Sequence, residues 1–309
     1  MNIAFFGASS QIAKSLIKKF SINSKNQLTF FVRNKPSFNE WLKTHEIPHK
    51  KSDIKLYSEF SGDAKIDFII NCVGVSDPAK SVTSHTSIQS TTRHYDEIAL
   101  EYLRSNLQTK YFFLSSGIAY GDIFSAPARS YRQQNIDMNS SKSEDSYAIS
   151  KVKAENLHRD LDHLSIIDIR IFSYLSDEID INSKFLITDA LRAIKDHKVL
   201  FTNKKNITRD YIGADDLYQL ITKLMPIERL NTVVDAYSKE PINKIALLDF
   251  LKTSFGLEYK FQDTFEELNA TGSKDHYYSK NFYAKKFGYS PKYSSKETIE
   301  EVARKVLLD

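Results

Sequence analysis

The apolar run Asn2 to Phe6 enters Gly7 directly, and helical periodicity begins at Gln11. No other feature constrains the fold as much. Glycine allows the tight turn, and the helix that follows presents unpaired amide N–H groups and the positive end of its dipole above the strand. A β-rich stretch from Gln27 to Val32 completes a βαβ unit. The turn reads Gly7-Ala8-Ser9-Ser10-Gln11-Ile12-Ala13, so Ser10 and Ala13 stand where a G-x-x-G-x-x-G pattern has its second and third glycines. Both are small. Alanine lets the helix lie close to the sheet, and a serine hydroxyl is able to bond a phosphate oxygen. Gly7, Ser9, Ser10, Gln11 and Ile12 therefore form a candidate dinucleotide cradle; the alternative is an ordinary βα turn.

Further along, Asp67 to Val73 is apolar, Thr86 to Asn106 has helical period, and Tyr111 to Leu114 is the next strand. After a polar loop from about Asp122 to Ser143, Glu144 to Leu164 reads as a helix and Ser165 to Phe172 as a strand. Strands separated by helices predict an α/β fold with a parallel, doubly wound sheet. Beyond residue 172 the pattern loses regularity. The expected division is a dinucleotide-binding domain with the catalytic residues over 1–172, and mainly a smaller substrate lobe over 173–309, with some segments returning to the first domain.

The chain of 309 residues has 41% apolar and 27% charged residues, an ordinary globular composition. Its one cysteine, Cys72, excludes an internal disulfide and offers no metal-ligand spacing, so no metal is expected. No apolar run reaches the roughly 18 to 20 residues of a membrane span, and the start lacks the layout of a signal peptide. A cytoplasmic protein is expected. The net charge of +4 comes from dispersed lysines, which reads as solvated surface rather than a nucleic-acid footprint. Lys274 to Lys292 interleaves lysine with aromatics, at spacings that suit packing of a small lobe.

Three places carry chemistry. The strand Gln27 to Val32 ends at Arg33, where an NAD-selective enzyme usually has a carboxylate for the ribose hydroxyls. Arg33, with Lys35, is suited to a 2′-phosphate, which favours NADP over NAD; a solvated surface arginine is the alternative. Tyr147 and Lys151 are four residues apart on an expected helix, so they share a face. A phenol titrates near 10, and a neighbouring ammonium favours its ionised form. The strand from Tyr111 delivers Ser115 and Ser116 to its carboxyl end, where open α/β sheets bind ligands. Ser116 there can hydrogen-bond a substrate oxygen.

Ser115-Ser116 followed by Tyr120-Gly121, then Tyr147-x-x-x-Lys151 with Ala154-Glu155, resembles the extended short-chain dehydrogenase/reductases that act on nucleotide sugars. Asp53-Ile54 is similar to the acidic-aliphatic pair near the adenine in that family. Asn71-Cys72-Val73-Gly74 is similar to its segment beside the cofactor. Arg209-Asp210-Tyr211-Ile212 resembles the R-D-[FY]-[IV] stretch whose arginine meets the substrate diphosphate, and Phe287 to Tyr293 resembles the closing segment. The resemblance implies Tyr147 as general acid/base, Lys151 as the group that lowers its pKa and holds the nicotinamide ribose, and Ser116 as the orienting hydroxyl. It implies Asp53, Ile54, Cys72, Val73 and Gly74 on the cofactor, and Ser116, Gly117, Tyr147 and Arg209 on the substrate. A homodimer through the two long helices is inherited from it. Ser173 stands where the family commonly has Asn, and the Tyr-Gly-Pro that usually follows is missing.

Gly117 and Ile118 follow Ser116 where dehydratases of this type have an acidic pair, which disfavours elimination. Reduction of a 4-keto sugar and 4-epimerisation remain, and Arg33 tilts the expectation toward an NADP-linked reductase. The alternatives are a nucleotide-sugar 4-epimerase with tightly bound NAD(P), and a noncatalytic NADP-binding sensor or assembly factor on the same fold.

Overall fold

The computed structural model describes residues 1–74, 88–121, 124–129, 136–138, 140, 145–262 and 274–308. Most of the polar loop expected over Asp122 to Ser143 lies outside these residues, as do the expected starts of two helices at Thr86 and Glu144. In chain order, β1 (Asn2–Phe6) leads through Gly7 to α1 (Gln11–Ser21), then β2 (Gln27–Phe31), α2 (Lys35–Thr44), β3 (Ile54–Lys55) and β4 (Phe68–Asn71). α3 (Ile88–Ser105), β5 (Lys110–Ser116), α4 (Ser146–Asp160) and β6 (Ile166–Ile171) follow.

Seven strands form one sheet in the order β11-β6-β5-β4-β1-β2-β3, with β11 (Thr232–Ala236) at the far edge beside β6. Every pairing in it is parallel. Alternation along β1 shows how the sheet is covered on both faces. Ile3 and Phe5 pack with Leu16, Ile17 and Phe20 of α1. Ala4 and Phe6 pack with Ala99, Leu100 and Leu103 of α3. β5 is buried along its whole length, which is why its sequence is nearly unbroken apolar before the two serines. The order of the strands reverses between β1 and β4, so a crevice opens at their carboxyl ends.

The rest of the chain adds β7 (Ser173–Tyr174), α5 (Leu186–Lys195), β8 (Leu200–Thr202), β9 (Thr208–Arg209), β10 (Tyr211–Ile212) and α6 (Ala214–Leu224) before β11. After β11 come β12 (Ile242–Asn243), α7 (Lys244–Phe255), β13 (Tyr259–Phe261), β14 (His276–Tyr277) and α8 (Ser295–Leu308). A second core joins Ile187 and Leu191 of α5, Leu248 and Leu251 of α7, and Ile299 and Ala303 of α8. A short sheet of order β12-β9-β14 carries Arg209 and Tyr277 on neighbouring strands.

β5 runs to Ser116, two residues beyond the apolar run that ends at Leu114, and so carries both serines at its carboxyl end as expected. Other expectations need correction. α2 went unread, although Asn34 caps it through an Asn34 acceptor for the Ser37 amide and a proline opens it. Ala284 and Tyr289, from the basic aromatic stretch assigned to the small lobe, pack instead in the core of the large sheet. Among the described residues, no helix is long and apolar enough to cross a membrane.

Candidate active site

Gly7 has φ +68°, and a β-carbon on it would meet the Val73 amide nitrogen at 3.0 Å and the Cys72 carbonyl carbon at 3.1 Å. Glycine is required twice over: for the left-handed backbone and for the close crossing of β1 and β4. Ser10 caps α1, its hydroxyl accepting from the Ala13 amide at 3.3 Å. Its oxygen thus serves the helix, and its own proton is what a phosphate could receive. Ala13 is fully buried, as a stand-in for the third glycine must be. Ser9 is exposed, Gln11 donates to Ser176 at 3.4 Å, and Ile12 packs at the edge of the core.

Across the crevice, the Asn71 carboxamide oxygen accepts from the Val73 amide at 2.9 Å, which fixes the segment Cys72–Gly74. Burial pushes the Cys72 thiol well above its usual range, so it is an inert wall rather than a nucleophile. Sequence reasoning missed Tyr57, whose hydroxyl accepts from the Gly7 amide at 2.6 Å. Arg33 is exposed just beyond β2, and the Lys35 ammonium pairs with Glu59 at 2.5 Å. Asp53 accepts from the Lys50 amide at 2.6 Å and closes a helical turn before β3; Ile54 is buried in that strand.

The catalytic candidates converge at the carboxyl end of β5. Tyr147 and Lys151 lie on one face of α4, with the Lys151 ammonium 5.8 Å from the Tyr147 ring centre and 4.4 Å from that of Phe113. Lys151 is buried and donates to the Leu114 carbonyl at 2.8 Å. Burial pulls its pKa down to about 8, against the nearby carboxylates of Asp96, Glu155 and Asp168. The Tyr147 phenol neighbours Ser116, whose hydroxyl favours its ionised form. Burial raises the pKa of this phenol, and Ser116 opposes the rise.

Ser116 also meets Tyr277, oxygen to oxygen, at 3.1 Å. Tyr277 comes from β14, packs with Phe124 and Phe172, and has the Arg209 guanidinium carbon 5.7 Å from its ring centre. Arg209, expected on the diphosphate, is largely buried and donates to the Lys274 carbonyl at 2.7 Å. Gly117 is closed on one side, since a β-carbon there would stand 2.5 Å from the Phe172 ring. Neither Tyr277 nor Phe172 carries a local motif. Only the chain's return across the sheet brings them to the serine.

These residues fit a dinucleotide. The Gly7 turn, the amino end of α1 and the Cys72–Gly74 segment border the crevice where strand order reverses. Gly74 stands beside Lys151: a β-carbon on it would make an ordinary contact with the ammonium at 3.6 Å.

The sequence matches the model of the NAD dependent epimerase/dehydratase family over residues 3–233. No curated protein matches it. Among solved structures, it is similar to UDP-glucuronic acid 4-epimerase from Bacillus cereus in complex with UDP-glucuronic acid and NAD, with 15% identity, 99% of each chain covered and a TM-score of 0.78. UDP-N-acetylglucosamine 4-epimerase from Methanobrevibacter ruminantium M1 shares 14% identity over 99% of this chain and 97% of that one, with a TM-score of 0.78. UDP-glucose 4-epimerase from Bifidobacterium longum, in complex with NAD+ and UDP, shares 15% identity over 99% and 97%, with a TM-score of 0.74.

Proposed function

The chain belongs to the NAD dependent epimerase/dehydratase family, of the extended short-chain dehydrogenase/reductase type, and from that premise we propose that it interconverts the C4 epimers of a UDP-linked sugar. The observation that carries this reading is the Lys151 ammonium 5.8 Å from the Tyr147 ring centre on one face of α4, with Ser116 at the carboxyl end of the buried strand β5 beside them. The reductase expectation rested on Arg33 alone. It yields to epimerisation because the solved structures similar to this chain include 4-epimerases of three UDP-sugars.

In the proposed mechanism Gly7, Ser9, Ser10, Gln11 and Ile12 would hold the dinucleotide diphosphate. Asp53 and Ile54 would border its adenine, and Cys72, Val73 and Gly74 its nicotinamide side. The chemistry the dinucleotide supplies when bound is reversible hydride exchange with sugar C4. Tyr147 takes the proton of the C4 hydroxyl as that carbon is oxidised, and returns it after the sugar has presented its other face. Ser116 donates to the same oxygen. An ammonium has three donors; Leu114 engages one, and the others would hold the nicotinamide ribose. Arg209, beside Tyr277, would meet the diphosphate of the substrate.

Arg33 and the lack of a carboxylate at the end of β2 support NADP as a form the site accepts, with NAD as the other. The test is to identify the dinucleotide released on denaturation, then to incubate the loaded protein with UDP-glucuronic acid, UDP-N-acetylglucosamine and UDP-glucose. A C4 epimer formed with no net change in nicotinamide absorbance is expected. Stoichiometric consumption of NADPH by a 4-keto sugar would return the assignment to a reductase.

A further inference from the structure

Among the described residues, two phenols neighbour the Ser116 hydroxyl: Tyr277, which hydrogen-bonds it, and Tyr147, whose ionised form it favours. A serine hydroxyl has one proton to give and two lone pairs to fill. The Ser116 oxygen accepts from the Ile118 amide at 3.3 Å, and the Tyr277 hydroxyl stands 3.1 Å from it. If Tyr277 donates, both lone pairs are occupied and the serine proton is left to point at Tyr147. We propose that Tyr277 is a positioning residue that fixes Ser116 as a hydrogen-bond donor toward the Tyr147 hydroxyl and the sugar oxygen that joins it. This rests on the epimerase reading for its substrate, but not for its geometry.

Everything packed around Tyr277 bears on whether it keeps its proton. Ser116 and Ile118 face it from β5 and the turn beyond, Tyr147 from α4, Arg209 from β9, and the Lys274 ammonium lies 5.1 Å from its ring centre. The Ser116 hydroxyl, the Arg209 guanidinium and the Ile118 amide favour ionisation. Burial opposes it, and so does the second phenol, because a phenolate at Tyr147 repels one at Tyr277. The balance is upward, so Tyr277 remains a neutral donor. With Tyr147 ionised, the hydrogen bonds run in one direction: Tyr277 to Ser116, Ser116 to Tyr147. A chain ending on an anion is strengthened at each link. When the sugar binds, its C4 oxygen receives the same serine proton. There it stabilises negative charge that develops only as the hydroxyl proton leaves.

Tyr277→Phe removes the hydroxyl and keeps the ring against Phe124 and Phe172, so the aromatic cluster survives. Two readouts test the proposal. In the protein without sugar, tyrosinate absorbance in wild type minus that in Tyr147→Phe reports ionisation of Tyr147; Tyr277→Phe should move that titration upward by about one pH unit, a tenfold change in its equilibrium. In turnover, Tyr277→Phe should lower kcat by about 10- to 100-fold and shift the basic group seen in kcat/KM in the same direction. In a Ser116→Ala background it should change neither quantity further. An unmoved titration, or an effect that persists undiminished without Ser116, overturns the proposal. Failure of wild type to convert any UDP-sugar overturns the epimerase reading instead and leaves the titration to decide the role of Tyr277.

Discussion

Gly7 and Val73 meet backbone to backbone at the carboxyl ends of β1 and β4, with 3.0 Å between the Val73 nitrogen and the place a β-carbon on Gly7 would occupy. The crossing sets the floor of the crevice. It explains why one glycine suffices in a turn whose other two glycine positions hold Ser10 and Ala13.

Gly7→Ala should therefore cost roughly 1–3 kcal/mol of stability, since alanine must hold a left-handed backbone and also displace the Cys72–Val73 backbone that follows β4. Dinucleotide affinity should fall with it. Chemical denaturation and a fluorescence titration of NADH and NADPH measure the two effects. Ser10→Gly, which restores the usual pattern at the price of the α1 cap, should lower stability by about 1 kcal/mol or less.

A second prediction concerns pH. His158 on α4 lies between two buried carboxylates, with Nδ1 2.7 Å from Asp168 and Nε2 3.0 Å from Asp96. Burial alone would push its pKa down, but Asp168 and Asp96 outweigh it and raise it to about 10 from an ordinary 6.5. The folded protein thus keeps a proton that the unfolded chain releases between these values. The stability from His158 is complete below pH 6.5 and is lost as pH rises through about 10. His158→Gln should be less stable than wild type at the acid end of that window, with the gap narrowing toward the alkaline end. Denaturant midpoints across the window check this; a gap independent of pH would contradict it.

The parts of the site that were legible in the sequence are those with a local cause. An apolar strand meeting Gly7, a strand ending in two serines, and a tyrosine one turn from a lysine each lie within a few residues, so spacing alone orients them. Tyr57 and Tyr277 were not legible. Each reaches its partner through tertiary structure, Tyr57 at Gly7 and Tyr277 at Ser116, with 50 and 161 residues of separation. The same holds for buried charge. Glu155 and Arg170 form a salt bridge at 2.5 Å, with Glu155 also accepting from Ser115 at 2.5 Å, and no periodicity announces such a pair. Lys151 shares the Tyr147 face, as the four-residue spacing required, whereas its own lowered pKa has no local signal, because desolvation acts through the whole surrounding fold.

The central claim is that the Tyr147 hydroxyl moves the C4 proton, and Tyr147→Phe tests it most directly. Phenylalanine keeps the ring beside Lys151 and removes only the oxygen. The account predicts that C4 epimerisation falls by about 10²- to 10⁴-fold while the affinities for NAD(P) and for the UDP-sugar stay within a few-fold of wild type. Turnover within a few-fold of wild type in that variant would contradict it.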